Sequence, residues 1–213
     1  MNLPNQKKNA AGRIHDWAQK GSHLSPVEWE RMPEIYLYMD QVITYMQSML
    51  SLFERSEETR LLTSSMINNY VKDGLLERPE KKKYARRHIA SLMMICMLKQ
   101  VLSIQDIAAL LKPLTAKREL KDVYTDFFAV QKDALQDVCH KVDETIPKGE
   151  DALRHLAMTL AIEANARRAA AERIICELQK DRNYEEALKR EMKKSKPLVN
   201  LSLIHISEPT RLR

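Results

Sequence analysis

The stretch "LTSSMINNYVKDGLLERPEKKKYARRHIASLMMICMLKQVLSIQDIAALL", Leu62–Leu111, decides the reading of this chain. Thr63 or Ser64 can cap a first helix, whose apolar stripe is Met66, Ile67, Tyr70 and Val71. Gly74 supplies a left-handed stop. "LLERPEKKKY" cannot be a regular helix, because of Pro79 and its charge density, and reads as a loop or small hairpin. A buried helix is expected through "ARRHIASLMMICMLKQVL". Another starts at Ser103, with Asp106 in the capping-box place.

The first helix carries short polar side chains: Ser64, Ser65, Asn68, Asn69 and Lys72. Helical spacing puts Ser65, Asn68, Asn69 and Lys72 on one face, opposite Met66, Ile67 and Tyr70. Asn pairs bidentately with adenine, Ser and Lys reach bases or phosphates, and a helix fits the major groove. Between Lys72 and Arg87 stand seven basic residues, at 72, 78, 81, 82, 83, 86 and 87, against acids at 73, 77 and 80. This local net of +4 is two-thirds of the whole-chain +6. Arg78, Lys81, Lys82, Lys83, Arg86 and Arg87 are therefore candidates to neutralise nucleic-acid phosphates, with Tyr84 among them. The pattern is that of a recognition helix (64–73) followed by a basic wing (77–87). The plainer alternative is a solvated polar face beside a soluble lysine loop.

Upstream, residues 1–11 lack a helical period, and "GRIHDWAQK" suggests a short helix. "SPVE" has the form of a strong helix start: Ser25 as cap, Pro26 at the first helical position, Glu28 completing a capping box. Trp17 and Trp29 read either as anchors for these helices or as ordinary core. "MDQVITYMQSMLSLF" is helical from a capping Asp40, with Val42, Ile43, Met46, Met49, Leu50 and Phe53 recurring, and "ERSEET" is a polar loop. Downstream, Pro113 marks a boundary. A long amphipathic helix follows, with Leu120, Val123, Phe127, Leu135, Val138, Val142 and Ile146 on one face, ending at Pro147 and Gly149. Tyr124, Phe127 and Phe128 are either an effector-pocket lining or core. The last segment is alanine-rich, helical by propensity, and small enough in its middle to suit burial in a bundle.

Composition favours an all-α fold: 44% hydrophobic and 30% charged residues with only four Gly in 213. Cys96, Cys139 and Cys176 are odd in number and far apart, which argues for reduced thiols and a cytoplasmic location rather than a disulfide or zinc framework. "MNLPNQKKNAAGR" lacks the apolar region of a signal peptide, and "IASLMMICML" is too short to span a membrane. No G-x-S-x-G, Walker, H-E-x-x-H or dinucleotide motif occurs. His15, His23, His88, His140 and His155 have no carboxylate or cysteine at ligand spacing, and Cys139 and His140 point to different sides of a helix. The expectation is a protein that is not an enzyme, with no cofactor and no metal.

The order of these elements resembles the winged-helix DNA-binding domain of MerR-type regulators. Tyr70, Gly74, Leu75 and Leu76 match that family's helix stop, and Tyr84 matches its aromatic after the wing. Leu102, Ser103, Asp106, Ile107, Leu110 and Leu111 match its following helix. "YMDQVITYM", "LLTSSMINNYVKDGLL", "PEKKKY" and "MLKQVLSIQDI" are similar, more closely, to an uncharacterised bacterial family, domain of unknown function 1836, across about Tyr36–Thr115. The resemblance implies a MerR-like transcriptional regulator and nothing finer; the expected partner is double-stranded DNA, and whether a small-molecule effector acts on it is left open. The likeness to MerR-type regulators also implies a homodimer joined through the long helix at Leu120–Ile146, for which an intramolecular hairpin is the alternative. The expected fold is all-α, with a MerR-like winged-helix N-terminal half and a C-terminal helical bundle or long-helix hairpin. The expected divisions are an N-terminal helical extension at 1–35, the DNA-binding region at 36–115 and a C-terminal helical region at 116–200. The competing reading is a helical protein-interaction adaptor that does not bind DNA.

The ending "LSLIHISEPTRLR", Leu201–Arg213, has no helical period. Read back into codons, residues 201–211 resemble a translated transposase adapter of sequencing libraries. The expectation is that 201–213 is an artefactual tail and that the native end is missing beyond about Asn200. Removing Leu201–Arg213 should leave the melting temperature unchanged. A clear drop in thermal unfolding would show that the tail packs.

Overall fold

The structure is a computed structural model that describes residues 9–23, 27–53 and 61–194, with the backbone alone at 23 and 192–194. The expected cap at Ser25, Pro26 beside it, the "ERSEET" loop and the tail with His205 lie outside the described residues. Among the described residues the fold is all-α: α1 (Ala10–His23), α2 (Met39–Leu50), α3 (Ser64–Lys72), α4 (Arg86–Leu98), α5 (Ile104–Lys117), α6 (Leu120–Thr145) and α7 (Glu150–Lys194). No described helix is long and apolar enough to cross a membrane. The chain divides into two compact units, Met1–Ile175 and Cys176–Arg213, with α7 contributing to both.

In the first unit α4 is the centre. His88, Ile89, Ala90, Leu92, Met93, Met94, Ile95 and Cys96 are all buried. A helix apolar on every side must be surrounded, and the same core takes in Val42 and Met46 of α2, Ile67 and Tyr70 of α3, Ile107 and Leu111 of α5, and Val123, Tyr124 and Phe128 of α6. This core runs continuously across position 115.

The predicted starts and stops hold at three places. The Thr63 hydroxyl accepts the Met66 N–H at 3.3 Å. Ser103 Oγ accepts the Asp106 N–H at 3.1 Å and donates to that carboxylate at 2.6 Å. Gly74 sits at φ 63°, and the Leu75 and Leu76 N–H groups fold back onto the Tyr70 carbonyl at 2.8 and 3.0 Å.

Elsewhere the expectations need correction. After "SPVE" the described chain makes only one 3-10 turn, Trp29–Arg31, because Pro33 follows too soon for a helix to propagate. α2 is capped by Tyr38 rather than Asp40: the Tyr38 N–H donates to Gln41 Oε1 at 2.9 Å. Pro113 lies inside α5 rather than ending it. The proline removes one backbone bond, and the helix runs only one further turn before Arg118. The alanine-rich middle of α7 is largely exposed rather than packed. Its helicity rests on alanine propensity and on one-turn pairs such as Arg167–Glu163 and Arg168–Glu172.

The apolar stripe predicted for α6 is covered within the chain. Leu135, Cys139 and Val142 form a second small core with Ala18 of α1, flanked by Ile14 and Leu156. Of the two tryptophans, Trp17 stays over a third exposed while its indole N–H donates to the Leu52 carbonyl at 3.4 Å. Trp29 is partly buried, its ring 6.1 Å from that of Tyr124. The second unit holds the end of α7, an exposed helix laced by Lys180–Glu177, Lys189–Glu185 and Arg190–Glu186.

The α1–α6 contact depends on Gly21. A Cβ there would stand 2.5 Å from Cys139 Sγ and 3.5 Å from Leu52 Cδ2. Alanine gains about 1 kcal/mol of helix propensity, while an overpacked contact costs about 1–3 kcal/mol. Gly21→Ala should therefore lower the melting temperature, and adding Cys139→Ala should recover part of the loss. Calorimetry of the two variants checks this; a rise in stability for Gly21→Ala alone would contradict the close approach.

Candidate nucleic-acid interface

α3 is held by one face and offers the other. Ile67 and Tyr70 are buried, and Met66 and Val71 are half-buried against the same core. Burial pushes the Tyr70 phenol up to about 12, so it stays protonated. Ser64, Ser65, Asn68, Asn69 and Lys72 are all exposed, at the spacing of one helical stripe. Among the described residues none of them is tied by a side-chain hydrogen bond or ion pair.

The basic stretch turns back on itself. Glu80 and Lys83 form an antiparallel bridge, with the Lys83 N–H donating to the Glu80 carbonyl at 2.9 Å. Between them Lys81 and Lys82 adopt φ 49° and 62°. Positive φ at both central residues is the hairpin turn that asparagine and glycine usually supply. Two lysines in it cost about 1–2 kcal/mol each. The outgoing arm is tied down by a second bridge: Leu37 N–H to the Tyr84 carbonyl at 2.9 Å, and Tyr84 N–H to the Leu37 carbonyl at 2.8 Å. The turn thus holds Lys81, Lys82 and Lys83 out in solvent, the Lys83 ammonium 5.8 Å from the Tyr38 ring centre.

One guanidinium gathers the hairpin's acids. Arg87 Nε lies 2.9 Å from Glu77 Oε2, and its Nη2 lies 3.6 Å from Glu80 Oε1. Arg78, Lys81, Lys82 and Lys83 are left without a carboxylate partner among the described residues. The exposed strip from Ser64 to Lys83 therefore presents cations and neutral polar groups, with Asp73 at its edge and the exposed Glu77 and Glu80 paired with Arg87.

Two candidate residues do not belong to this strip. Tyr84 is 3% exposed, its ring packs edge-on against His88 at 5.6 Å, and its hydroxyl points at Met39 Sδ, 3.6 Å away. Arg86 turns the other way. Its Nη2 donates to the Met32 carbonyl at 3.1 Å and to Glu34 at 2.9 Å, and it lies 6.0 Å over the Trp29 ring. Both side chains hold the fold rather than face outward. The Leu37–Tyr84 bridge escaped the sequence reading. Its signal was the β-rich run "IYLY", Ile35–Tyr38, in which Leu37 is buried while Ile35, Tyr36 and Tyr38 are exposed.

The aromatic group on α6 is split. Tyr124 is core, its hydroxyl donating to the Val27 carbonyl at 2.7 Å. Phe127 and Phe128 border an apolar cavity of about 130 Å³ with Met93, Met97 and Leu135. Two of the histidines do have carboxylate neighbours: His15 Nδ1 is 3.1 Å from Asp143 across α1 and α6, and His140 is 3.3 Å from Glu144 one turn on. Among the described residues no three His, Cys, Asp or Glu side chains converge as metal ligands. Burial pushes the Cys96 thiol up to about 12 and raises that of Cys139, so neither is a ready nucleophile, while Cys176 is exposed.

Residues 27–127 match the model of a family described as a domain of unknown function, DUF1836. The match contains α2 to α5, the hairpin and the first turns of α6. No curated protein and no solved structure matches the chain.

His88 lies beneath the hairpin, 1% exposed, with Nδ1 accepting the Ala85 N–H at 2.9 Å. Burial, then the charge of Arg87, holds its pKa below the ordinary histidine value. The unfolded chain therefore takes up a proton on this residue before the folded chain does. Stability should fall as pH drops below about 6.5 toward the lowered value. His88→Gln can keep the bond to Ala85 without titrating. The melting temperature of the wild type should fall more steeply between pH 7.5 and 5.5 than that of His88→Gln. Parallel curves would remove His88 as the cause.

Proposed function

We propose that this chain is a DNA-binding transcriptional regulator of MerR-like winged-helix type. In this reading α3 enters the major groove with Ser64, Ser65, Asn68, Asn69 and Lys72. The hairpin lies on the phosphates through Arg78, Lys81, Lys82 and Lys83. The observation that carries the reading is the pairing of an exposed, acid-free polar face on α3 with a hairpin whose own acids are held by Arg87. Asn side chains then meet base edges, and lysines meet backbone charge. Arg87 stands at the rim, half-committed to Glu77. Because the α6 stripe is covered within the chain, by the main core and by α1, pairing of two copies falls in this reading to exposed α7 positions such as Met158 and Ile162.

Those two side chains, one turn apart and more than half exposed, also favour a second reading, a helical adaptor that binds a protein partner without DNA. The two readings separate on one experiment. The DNA reading predicts retardation of random duplex at low salt, with log K falling linearly against log salt. Changing Lys81, Lys82 and Lys83 together to Ala should reduce that slope by about 2–3, at about 0.9 per phosphate contact. An unchanged slope would remove the hairpin from the interface. No retardation by the wild-type chain would favour the adaptor.

A further inference from the structure

On the flank of the hairpin a cleft of about 510 Å³ opens between α4, α5 and the start of α6. That volume is within the range of sites that hold small organic ligands, about 300–1,000 Å³. Its wall is mixed. Trp29, Leu75 and Leu120 supply an apolar surface with Met94 and Leu111 buried behind it, while Arg87, Lys112, Arg118 and Lys121 supply cations against the carboxylates of Glu77 and Glu119.

The cations differ in how they are engaged. Arg118 is paired with Asp126 at 2.7 Å, Lys121 with Glu30 at 2.7 Å, and Arg87 with Glu77 at 2.9 Å. Lys112 has no acidic partner among the described residues. Its ammonium lies 3.7 Å from where a Cβ on Gly74 would stand, so it reaches back over the end of α3. The three paired acids outside the cleft or at its rim are all more than half exposed. Exposed ion pairs contribute only about 0–1 kcal/mol, so an incoming anion can replace one partner at little cost.

We infer that this cleft binds an organic anion: a carboxylate on a planar apolar body. The body lies against Trp29 and Leu120, and the carboxylate meets the ammonium of Lys112 and takes a share of Arg87 from Glu77. The site does not depend on whether the chain binds DNA. It does touch the hairpin, because Arg87 is common to both.

The probe is 2-naphthoate, with 2-naphthamide as the neutral control. The full chain, labelled with ¹⁵N, has two tryptophan indole N–H signals, from Trp17 and Trp29. Trp17→Phe assigns them. Naphthoate should shift the Trp29 signal saturably and leave Trp17 in place. The amide should bind at least about tenfold more weakly, as the loss of one charged hydrogen bond requires. Lys112→Ala should weaken naphthoate about tenfold without affecting the amide, and Lys112→Arg should restore it. Glu77→Gln should tighten naphthoate, because it releases Arg87. Equal binding of acid and amide, or full affinity in Lys112→Ala, overturns the anion site. Unchanged affinity in Glu77→Gln overturns the sharing of Arg87. Trp17, Glu77 and Lys112 are all exposed, and far-ultraviolet circular dichroism matching the wild type checks that each variant folds.

Discussion

A helix buried along nearly all of its central stretch has to be roofed, and α4 is such a helix. From His88 to Cys96 all but one of its side chains are out of water. Each buried Leu, Ile or Met contributes about 1.5–3 kcal/mol only if the surrounding elements close over it. α2, α3, α5 and α6 are those elements, each with one apolar stripe spent on the common core. Their outward faces follow from that choice. Once Ile67 and Tyr70 of α3 face α4, the position of Asn68, Asn69 and Lys72 in solvent is a matter of 100° per residue. The candidate interface is thus the reverse side of a packing decision.

The entry to α4 sorts the basic residues. Arg86 and Arg87 are adjacent, so their side chains leave the helix about 100° apart. One reaches toward the segment before α2, to Met32, Glu34 and Trp29. The other reaches over the hairpin to Glu77 and Glu80. These pairs add little stability where they are exposed, but they fix geometry. Arg86 and the Leu37–Tyr84 bridge brace the strand side of the hairpin. Arg87 offsets part of the charge of the two carboxylates, which remain exposed. A count of charges along the chain treats all seven basic residues alike; in space some are structural and some are free.

Local chemistry explains which expectations held. Thr63, Ser103 and Gly74 act within three or four residues of themselves, and at that range sequence is enough. Pro113 and the "SPVE" start failed because their outcome depends on neighbours. A proline close to a helix end costs one bond and is tolerated when the preceding turns are buried, as Ile107 and Leu111 are. A good start signal fails when Pro33 closes the segment a few residues on. The middle of α7 misled for another reason: alanine suits both a tight interface and a free helix, since it has the highest helix propensity and the smallest side chain. On the candidate face, Asn68, Asn69 and Lys72 were legible from periodicity. The burial of Tyr84 was not, because it rests on pairing with Leu37, forty-seven positions away.

The hairpin turn carries a cost that its sequence does not need. Asn-Gly would adopt the same positive φ at both central positions without strain, yet Lys81 and Lys82 stand there. The fold can hold them because the turn is tied at both ends, by the Leu37–Tyr84 bridge and by Arg87. Strain sustained in that way puts two ammonium groups at the outermost point of the chain's most basic segment, where a shorter polar turn would leave none. The same Arg87 lines the neighbouring cleft. Its ion pairs to Glu77 and Glu80 tie the hairpin to the cleft wall, so the proposed anion and the hairpin's acids draw on the same guanidinium. One side chain thereby belongs both to the cleft wall and to the hairpin, through contacts no longer than a salt bridge.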